Sequence, residues 1–219
     1  MKNVLCLNTC FRSAEIVAVG ESAEFERIDA NCKHSEHVLP EVEKVLEKAN
    51  LDAKNINALG VCVGPGSFTG IRIGVALVKG LGFSRDLPCV AFNSFEIIAE
   101  QYFLNEPEAE EVVVVLDGLG GFVFVSKLAR GGKTLTMPTC LDQCQMTEFI
   151  KQNACAYVCH EDDKNKFALT PITLSQKAYE EVLERKFLAG EVVSCAEISP
   201  LYLRKSQAEV ELEKKNANQ

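Results

Sequence analysis

No block of lysine and arginine occurs in this sequence. Lys and Arg total 23 against 31 Asp and Glu, a formal net charge of −8 over 219 residues. A protein that grips nucleic acid by its backbone needs a basic face. The densest basic cluster, Arg204–Lys205 with Lys214–Lys215 nearby, is diluted by Glu209, Glu211 and Glu213. Contact with RNA is therefore expected to be delegated to another protein. Long hydrophobic runs are missing as well. Lys2 and Asn3 lead into an apolar stretch too short for a signal peptide or a membrane span, so a cytoplasmic protein with no membrane attachment is expected. Histidine is scarce, at three residues, and no nucleophile–base–orienter set is visible.

What is present supports a folded core. Hydrophobic residues make up 47% and charged residues 25%, which suits one or two domains. Ten cysteines occur without a secretion signal and are expected to be reduced. Cys6, Cys62 and Cys89 sit in apolar runs, where a thiol behaves as a small hydrophobe. Cys140, Cys144, Cys155 and Cys159-His160 lack the tight Cys-x2-Cys knuckles of zinc sites. Cys159 and His160 would also face opposite sides of a strand, so these read as free thiols.

Periodicity predicts an order of elements. Asn3–Cys10, Ala14–Gly20 and Ala23–Ile28 read as three short strands, with a hairpin at Gly20-Glu21-Ser22. Val38, Leu39, Val42, Val45, Leu46 and Ala49 recur at helical spacing. Pro40 fits a first turn, so the helix is expected to start close to it and to stop at Asn50. Ala58–Val63 reads as a buried strand, Phe68–Phe83 as a helix, Pro88–Phe92 as a strand, and Ser94 as the cap of a short helix. Asn105–Glu111 is polar and acidic, a linker. Then the pattern restarts: strands at Val112–Asp117, Gly121–Leu128 and Lys133–Pro138, a helix over Met146–Gln152, a strand at Ala156–His160 and a helix over Leu174–Leu188. The polar tail is expected to fray. The layout is α/β with mixed sheets, divided into residues 1–104 and 105–219, with the tail from about 198 packing back on the first part.

The stretch GPGSFTGIRIG, from Gly64, looks like a phosphate loop and is not one. A P-loop needs Gly, four residues, then Gly-Lys-Ser/Thr, and a dinucleotide fingerprint needs G-x-G-x-x-G. Here five residues separate Gly64 from Gly70, and Ile71 stands where the lysine belongs. A helix capped by Ser67 can still hold an anion weakly, with Asn8, Thr9, Gly66, Ser67 and Asp117 as the candidate anion or nucleotide set. Gly66, Gly70, Gly74 and Gly82 fall at multiples of four, a narrow row along one helix side. Each helical glycine costs about 0.8–1 kcal/mol relative to alanine, and close approach of another backbone is the usual compensation. Packing inside the chain and packing against a second molecule, as part of an intermolecular helix bundle, both remain open.

GPGSFTGIRIG together with HSEHVLPEVEKVL upstream resembles the TsaB family, also called YeaZ, and the ending PLYLRKSQAE is similar too. The resemblance covers the whole chain in length and order. It implies a duplicated actin/Hsp70-ATPase-like (ribonuclease H-like) fold with two mixed-sheet subdomains. It implies a non-catalytic subunit that supports a TsaD-like threonylcarbamoyl transferase in forming threonylcarbamoyladenosine on ANN-decoding tRNAs. A TsaE-like ATPase is the further implied partner, with a homodimer when alone and tRNA reached only through the complex. No cofactor is required of this chain, and ATP or ADP is left to the complex. The implied docking surface lies on the first two helices, with His34, Leu39, Val42, Phe68, Gly70, Ile71, Arg72, Gly74, Val75 and Lys79 as its expected residues.

Departures from the family pattern point the same way. Asn8 stands where ATPases of this class place a carboxylate, and an amide is a poorer Mg2+ ligand. Leu119 stands where the family often has Arg, two residues after Asp117. His34 and His37 are spaced H-x-x-H, neither the H-x-x-x-H of TsaD nor the H-E-x-x-H of zinc proteases. The alternative, a nucleotide- or metal-dependent hydrolase of glycoprotease type, would need metal at Asn8/Asp117 or at His34/His37.

Overall fold

Strand β1 (Val4–Asn8) is buried along its whole length, because it lies in the middle of a six-stranded sheet. The sheet runs β11-β5-β4-β1-β2-β3, where β2 is Ala14–Val19, β3 is Ala23–Ile28, β4 is Ala58–Cys62, β5 is Pro88–Phe92 and β11 is Val193–Ser194. β1, β2 and β3 form an antiparallel meander, and β4 and β5 continue parallel to β1. A second sheet runs β10-β9-β6-β7-β8, from β6 (Glu111–Asp117), β7 (Val123–Ala129), β8 (Thr134–Leu141), β9 (Ala156–His160) and β10 (Thr170–Ile172). It repeats the first: an antiparallel meander beside two parallel strands. This is the expected duplicated arrangement with two mixed sheets. The computed structural model describes residues 3–28, 34–83 and 85–204, with only the backbone of 34–36. The side chain of His34, Cys32, Lys205, Lys214, Lys215 and the rest of the tail lie outside the described residues.

Five layers result. Helices α1 (His34–Lys48) and α2 (Phe68–Phe83) cover one face of the first sheet. Helices α3 (Ser94–Asn105) and α5 (Gln176–Leu188) pack on each other between the sheets, α3 against the second and α5 against the first. Helix α4 (Gln143–Gln152) covers the outer face of the second sheet. Alternation along β6 feeds two cores: Val112, Val114 and Leu116 join the large one, while Val113 and Val115 meet Met146 and Phe149 on the α4 side. In the second half a single 3-10 turn, Glu161–Asp163, stands in the place that α2 fills in the first.

Two local expectations are corrected. Helix α1 starts at His34, so Pro40 lies inside it; the ring is exposed, where water can serve the carbonyl that lacks its intrahelical donor. Helix α3 is capped by Asn93, not Ser94: the Asn93 side chain accepts from the amides of Phe95 and Glu96, and Glu96 accepts from the Asn93 amide. Ser94 is buried and donates to the carbonyl of Pro65 at 2.6 Å. Asn50 does stop α1. It takes a positive φ of 53°, and the amides of Asn50 and Leu51 reach back to the carbonyls of Glu47 and Leu46, the Schellman pattern.

Candidate functional site

Helix α2 rests on the turn that follows β1. An added Cβ at Gly70 would lie 1.9 Å from the carbonyl oxygen of Thr9, and one at Gly74 would lie 2.4 Å from Thr9 Oγ1. Further along, a Cβ at Gly82 would lie 2.2 Å from Cys195 Sγ. The glycine row thus meets a turn and a cysteine of its own chain, not a neighbouring helix. Hydrogen bonds lock the contact. Thr9 Oγ1 donates to the Gly70 carbonyl at 2.7 Å, and the Ser67 amide donates to the Cys10 carbonyl at 2.7 Å. Ser67 Oγ accepts from the Gly70 amide at 3.2 Å. Two amides at the start of α2 that an anion would need are already engaged.

Asn8 is fully buried. Its Nδ2 donates to Tyr179 Oη at 2.7 Å and to Glu15 Oε2 at 3.3 Å, and its Oδ1 accepts from the Cys10 amide. Tyr179 Oη in turn donates a short hydrogen bond to Glu15. Arg27 donates through Nε and Nη2 to Glu15 Oε1, through Nη1 to Glu161 at 2.6 Å, and through Nη2 to the Leu174 carbonyl. Burial pushes the Glu15 carboxyl up from its ordinary range, against the hydrogen bond from Tyr179 and the charge of Arg27. Burial, reinforced by Glu15, pushes the Tyr179 phenol well up.

The same network joins the two halves. Phe11 stacks on His160 with ring centroids 3.7 Å apart, and the Arg12 amide donates to Asp162 at 2.8 Å. Asp117 is ion-paired with Lys166, which also reaches Asp163 at 3.1 Å, and Asp117 accepts from the Leu119 amide. Burial would raise the Asp117 carboxyl, but the Lys166 and Leu119 hydrogen bonds hold it below its usual value. Asp162 is lowered likewise, its burial outweighed by His160 and the Arg12 amide. A depressed carboxylate contributes stability that is present above its ordinary pKa of 3.8 and is lost as pH falls through the folded value. Asp162→Asn is therefore expected to flatten the loss of melting temperature on the acid side of about pH 4, read by thermal melts across that range.

Apart from His34, whose side chain lies outside the described residues, each expected docking residue has a definite place. Val42, Ile71 and Val75 are buried in the core, and Gly70 and Gly74 face Thr9. These five face inward in this chain, so the docking set on the surface shrinks. Leu39 is 49% exposed. Phe68, Arg72 and Lys79 line the side of α2 that faces residues 196–202: Phe68 stacks on Tyr202 at 4.6 Å, Arg72 lies over Phe68 at 4.0 Å, and Lys79 donates to the Ala196 carbonyl at 2.9 Å. Each member of the anion set meets another group of this chain. Asn8 and Thr9 are buried, Ser67 caps α2, Gly66 abuts the Cys10 carbonyl, and Asp117 is held by Lys166. Among the described residues no group of three or more His, Cys, Asp or Glu is arranged to hold a metal ion. Burial raises the thiols of Cys6 and Cys10 well above the usual value and that of Cys159 to about 11, so these cysteines are protonated and poor nucleophiles.

Sequence reasoning missed Glu15, Arg27 and Tyr179. One signal was available: Glu15 is the lone charge in an otherwise apolar strand, AEIVAV, and a charge at such a position needs a buried partner. It missed an apolar groove between α1 and α2 too. The groove has a volume of about 130 Å³ and is lined by Leu39, Val42, Leu46, Ile56, Leu81 and Leu87 among others.

Known proteins resemble this chain along nearly its whole length. Residues 28–179 match the model of the family described as TsaD: tRNA N6-adenosine threonylcarbamoyltransferase. The Haemophilus influenzae protein named tRNA threonylcarbamoyladenosine biosynthesis protein TsaB is 25% identical, over 92% of this chain and 93% of its own length. The Escherichia coli protein of the same name is 31% identical over 45% of this chain and 42% of its own. The solved structure of YeaZ from Pseudomonas aeruginosa superposes with a TM-score of 0.76 at 20% identity, over 93% of this chain and all of that one, a likeness of fold. No helix among the described residues is long and apolar enough to cross a membrane. The chain belongs to this threonylcarbamoyltransferase-related family, in its TsaB/YeaZ branch.

Proposed function

We propose that this chain is a non-catalytic partner subunit in the biosynthesis of threonylcarbamoyladenosine on tRNA, supporting a TsaD-like transferase. The observation that carries this reading is the full burial of Asn8. The Asn8 amide, the Tyr179 hydroxyl and the Glu15 carboxylate satisfy one another, so the residue that stands where an ATPase of this fold class places a carboxylate is spent on structure. The acidic surface adds weight, since it suits a protein that meets tRNA only through its partner. The names of the relatives and the matching family model support the pathway. A TsaE-like ATPase, with its ATP or ADP, belongs to the assembly in this reading, and a homodimer forms in the absence of the transferase.

Leu39, exposed at the apolar groove beside α1, gives the docking surface its apolar centre. Exposed apolar side chains flanking a groove are what a partner buries first. Size-exclusion chromatography with light scattering tests the reading, on the chain alone and mixed with the TsaD-like protein of its own organism. A one-to-one complex is the expected species. Leu39→Glu would bury an unpaired charge in that interface and is expected to weaken pairing by about 2 kcal/mol, roughly thirtyfold. A chain that ignores the transferase and instead carries a stoichiometric divalent ion would overturn the proposal in favour of a hydrolase.

A further inference from the structure

The segment after α5 runs back across the molecule and touches both halves. It begins in the first sheet, where β11 pairs antiparallel with β5. Cys195 is buried, donates to the Leu87 carbonyl at 3.1 Å and occupies the hollow that Gly82 leaves in α2. Ile198 is buried too, and the Leu201 amide donates to the Val63 carbonyl at 2.7 Å. Tyr202 then stacks on Phe68 and accepts from Arg72 Nε at 2.9 Å. Two residues later the segment reaches the second half. Arg204 donates to the carbonyls of Gly118 at 3.2 Å and Leu119 at 2.8 Å, and its guanidinium lies 4.3 Å from the centre of the Phe122 ring.

Phe68, Arg72 and Lys79 are the α2 residues that this segment holds, and all three belong to the surface expected to meet a partner. The chain itself supplies their present neighbours. Tyr202 is 41% exposed, so its ring lies on the surface and can lift without opening the core. Among the described residues the hydrogen bonds of Arg204 go to the turn that joins β6 to β7, and none goes to α2.

We propose that residues 199–204 are an intramolecular strap that competes with the partner for the Phe68–Arg72 face of α2, and that the grip of Arg204 on the Gly118–Leu119 turn sets how tightly the strap holds. This rests on the proposed pairing with a TsaD-like protein and adds its regulation. When a binding face is free only part of the time, the apparent dissociation constant exceeds the intrinsic one by the inverse of the free fraction. A strap closed about nine-tenths of the time thus weakens pairing roughly tenfold. It also links the docking face to the second half: anything that displaces Arg204 from the turn favours the partner, and the partner in turn releases the turn.

Arg204→Ala separates this from a purely structural role, because it removes no side chain from α2 and none from its neighbour Tyr202. Two measurements on the full chain decide the matter. Hydrogen exchange at the Leu201 amide, in the chain alone, reports whether the strap has loosened. Calorimetric titration with the TsaD-like protein of the same organism reports the affinity. Faster exchange at Leu201 together with roughly tenfold tighter pairing is the expected result, and Tyr202→Ala should tighten pairing in the same direction. Unchanged exchange at Leu201 overturns the control by Arg204. Faster exchange with equal or weaker pairing overturns the competition while leaving the partner reading intact. If neither wild type nor either variant pairs at all, the partner reading falls and the strap's role falls with it.

Discussion

Gly70→Ala is expected to cost about 3 kcal/mol of folding stability, the upper end of what overpacking a core does. The reason is where the new methyl would go. It would lie 1.9 Å from the Thr9 carbonyl oxygen, and a backbone oxygen in the turn after a buried strand cannot swing aside as a side-chain tip does. Either α2 retreats from the sheet or the turn breaks its two hydrogen bonds to the helix start. The intrinsic gain from alanine over glycine in a helix is about 0.8–1 kcal/mol, too small to offset the clash. Gly80 is the control: nothing lies within 4 Å of a Cβ there, so Gly80→Ala should stabilise the chain by about that helix-propensity gain. Urea unfolding of the two variants gives the comparison. Equal stability for Gly70→Ala and wild type would show that α2 does not seat on Thr9.

Glu15→Ala is expected to be at least as damaging, at about 3–5 kcal/mol, the range for removing one member of a buried ion pair. Its loss leaves the proton of the Tyr179 hydroxyl, buried with the tyrosine at 0% exposure, without its acceptor, and takes from Arg27 its two hydrogen bonds to Glu15 Oε1. Glu161 remains to hold Arg27, so the lower end applies if Arg27 turns outward. The pH dependence has a definite sign. Burial raises the folded pKa of Glu15 above its ordinary value, so the folded chain binds this proton more tightly than the unfolded one does. The resulting stability is complete below the ordinary glutamate pKa of about 4.3 and declines as pH rises through the folded pKa. Glu15→Gln keeps an acceptor for Tyr179 and has no proton to lose, so its stability should lack that decline. Denaturant melts of wild type and both variants between about pH 4 and pH 8 test both statements.

Much of the framework was legible because local pattern determines it. The bounds of α2, β5 and β9 follow from unbroken helical periodicity in one case and from short apolar runs between turn residues in the others. The restart after Asn105–Glu111 marked the second sheet for the same reason. What local pattern does not encode was not legible. β10 has three residues with Pro171 in the middle, and β11 has two; neither is long enough to show alternation. Asn93 and Ser94 are both good cap residues, and only the burial of Ser94 against Pro65 decides between them. For the candidate site the gap is wider. Tyr179 meets Asn8 across 171 residues and Glu15 across 164, distances over which no spacing rule operates. The glycine row announced a close approach, but a row of small residues is silent about what approaches it.

The packing of α5 on the first sheet and of β11 within it carries a consequence for synthesis on the ribosome. They follow the whole second sheet in sequence, yet Tyr179, Val182 and Leu183 sit in the core that the first sheet shares with α3. When the first five strands have emerged, the inner face of their sheet has nothing to cover it, and β5 is still an open edge. Chains usually fold unit by unit as they are made, but here the first unit waits for residues from the far side of the second. The nascent chain therefore carries an incompletely covered sheet while the whole second sheet is made, a state in which chaperones bind and strands pair wrongly, and the fold closes only once residues near Cys195 have cleared the exit tunnel.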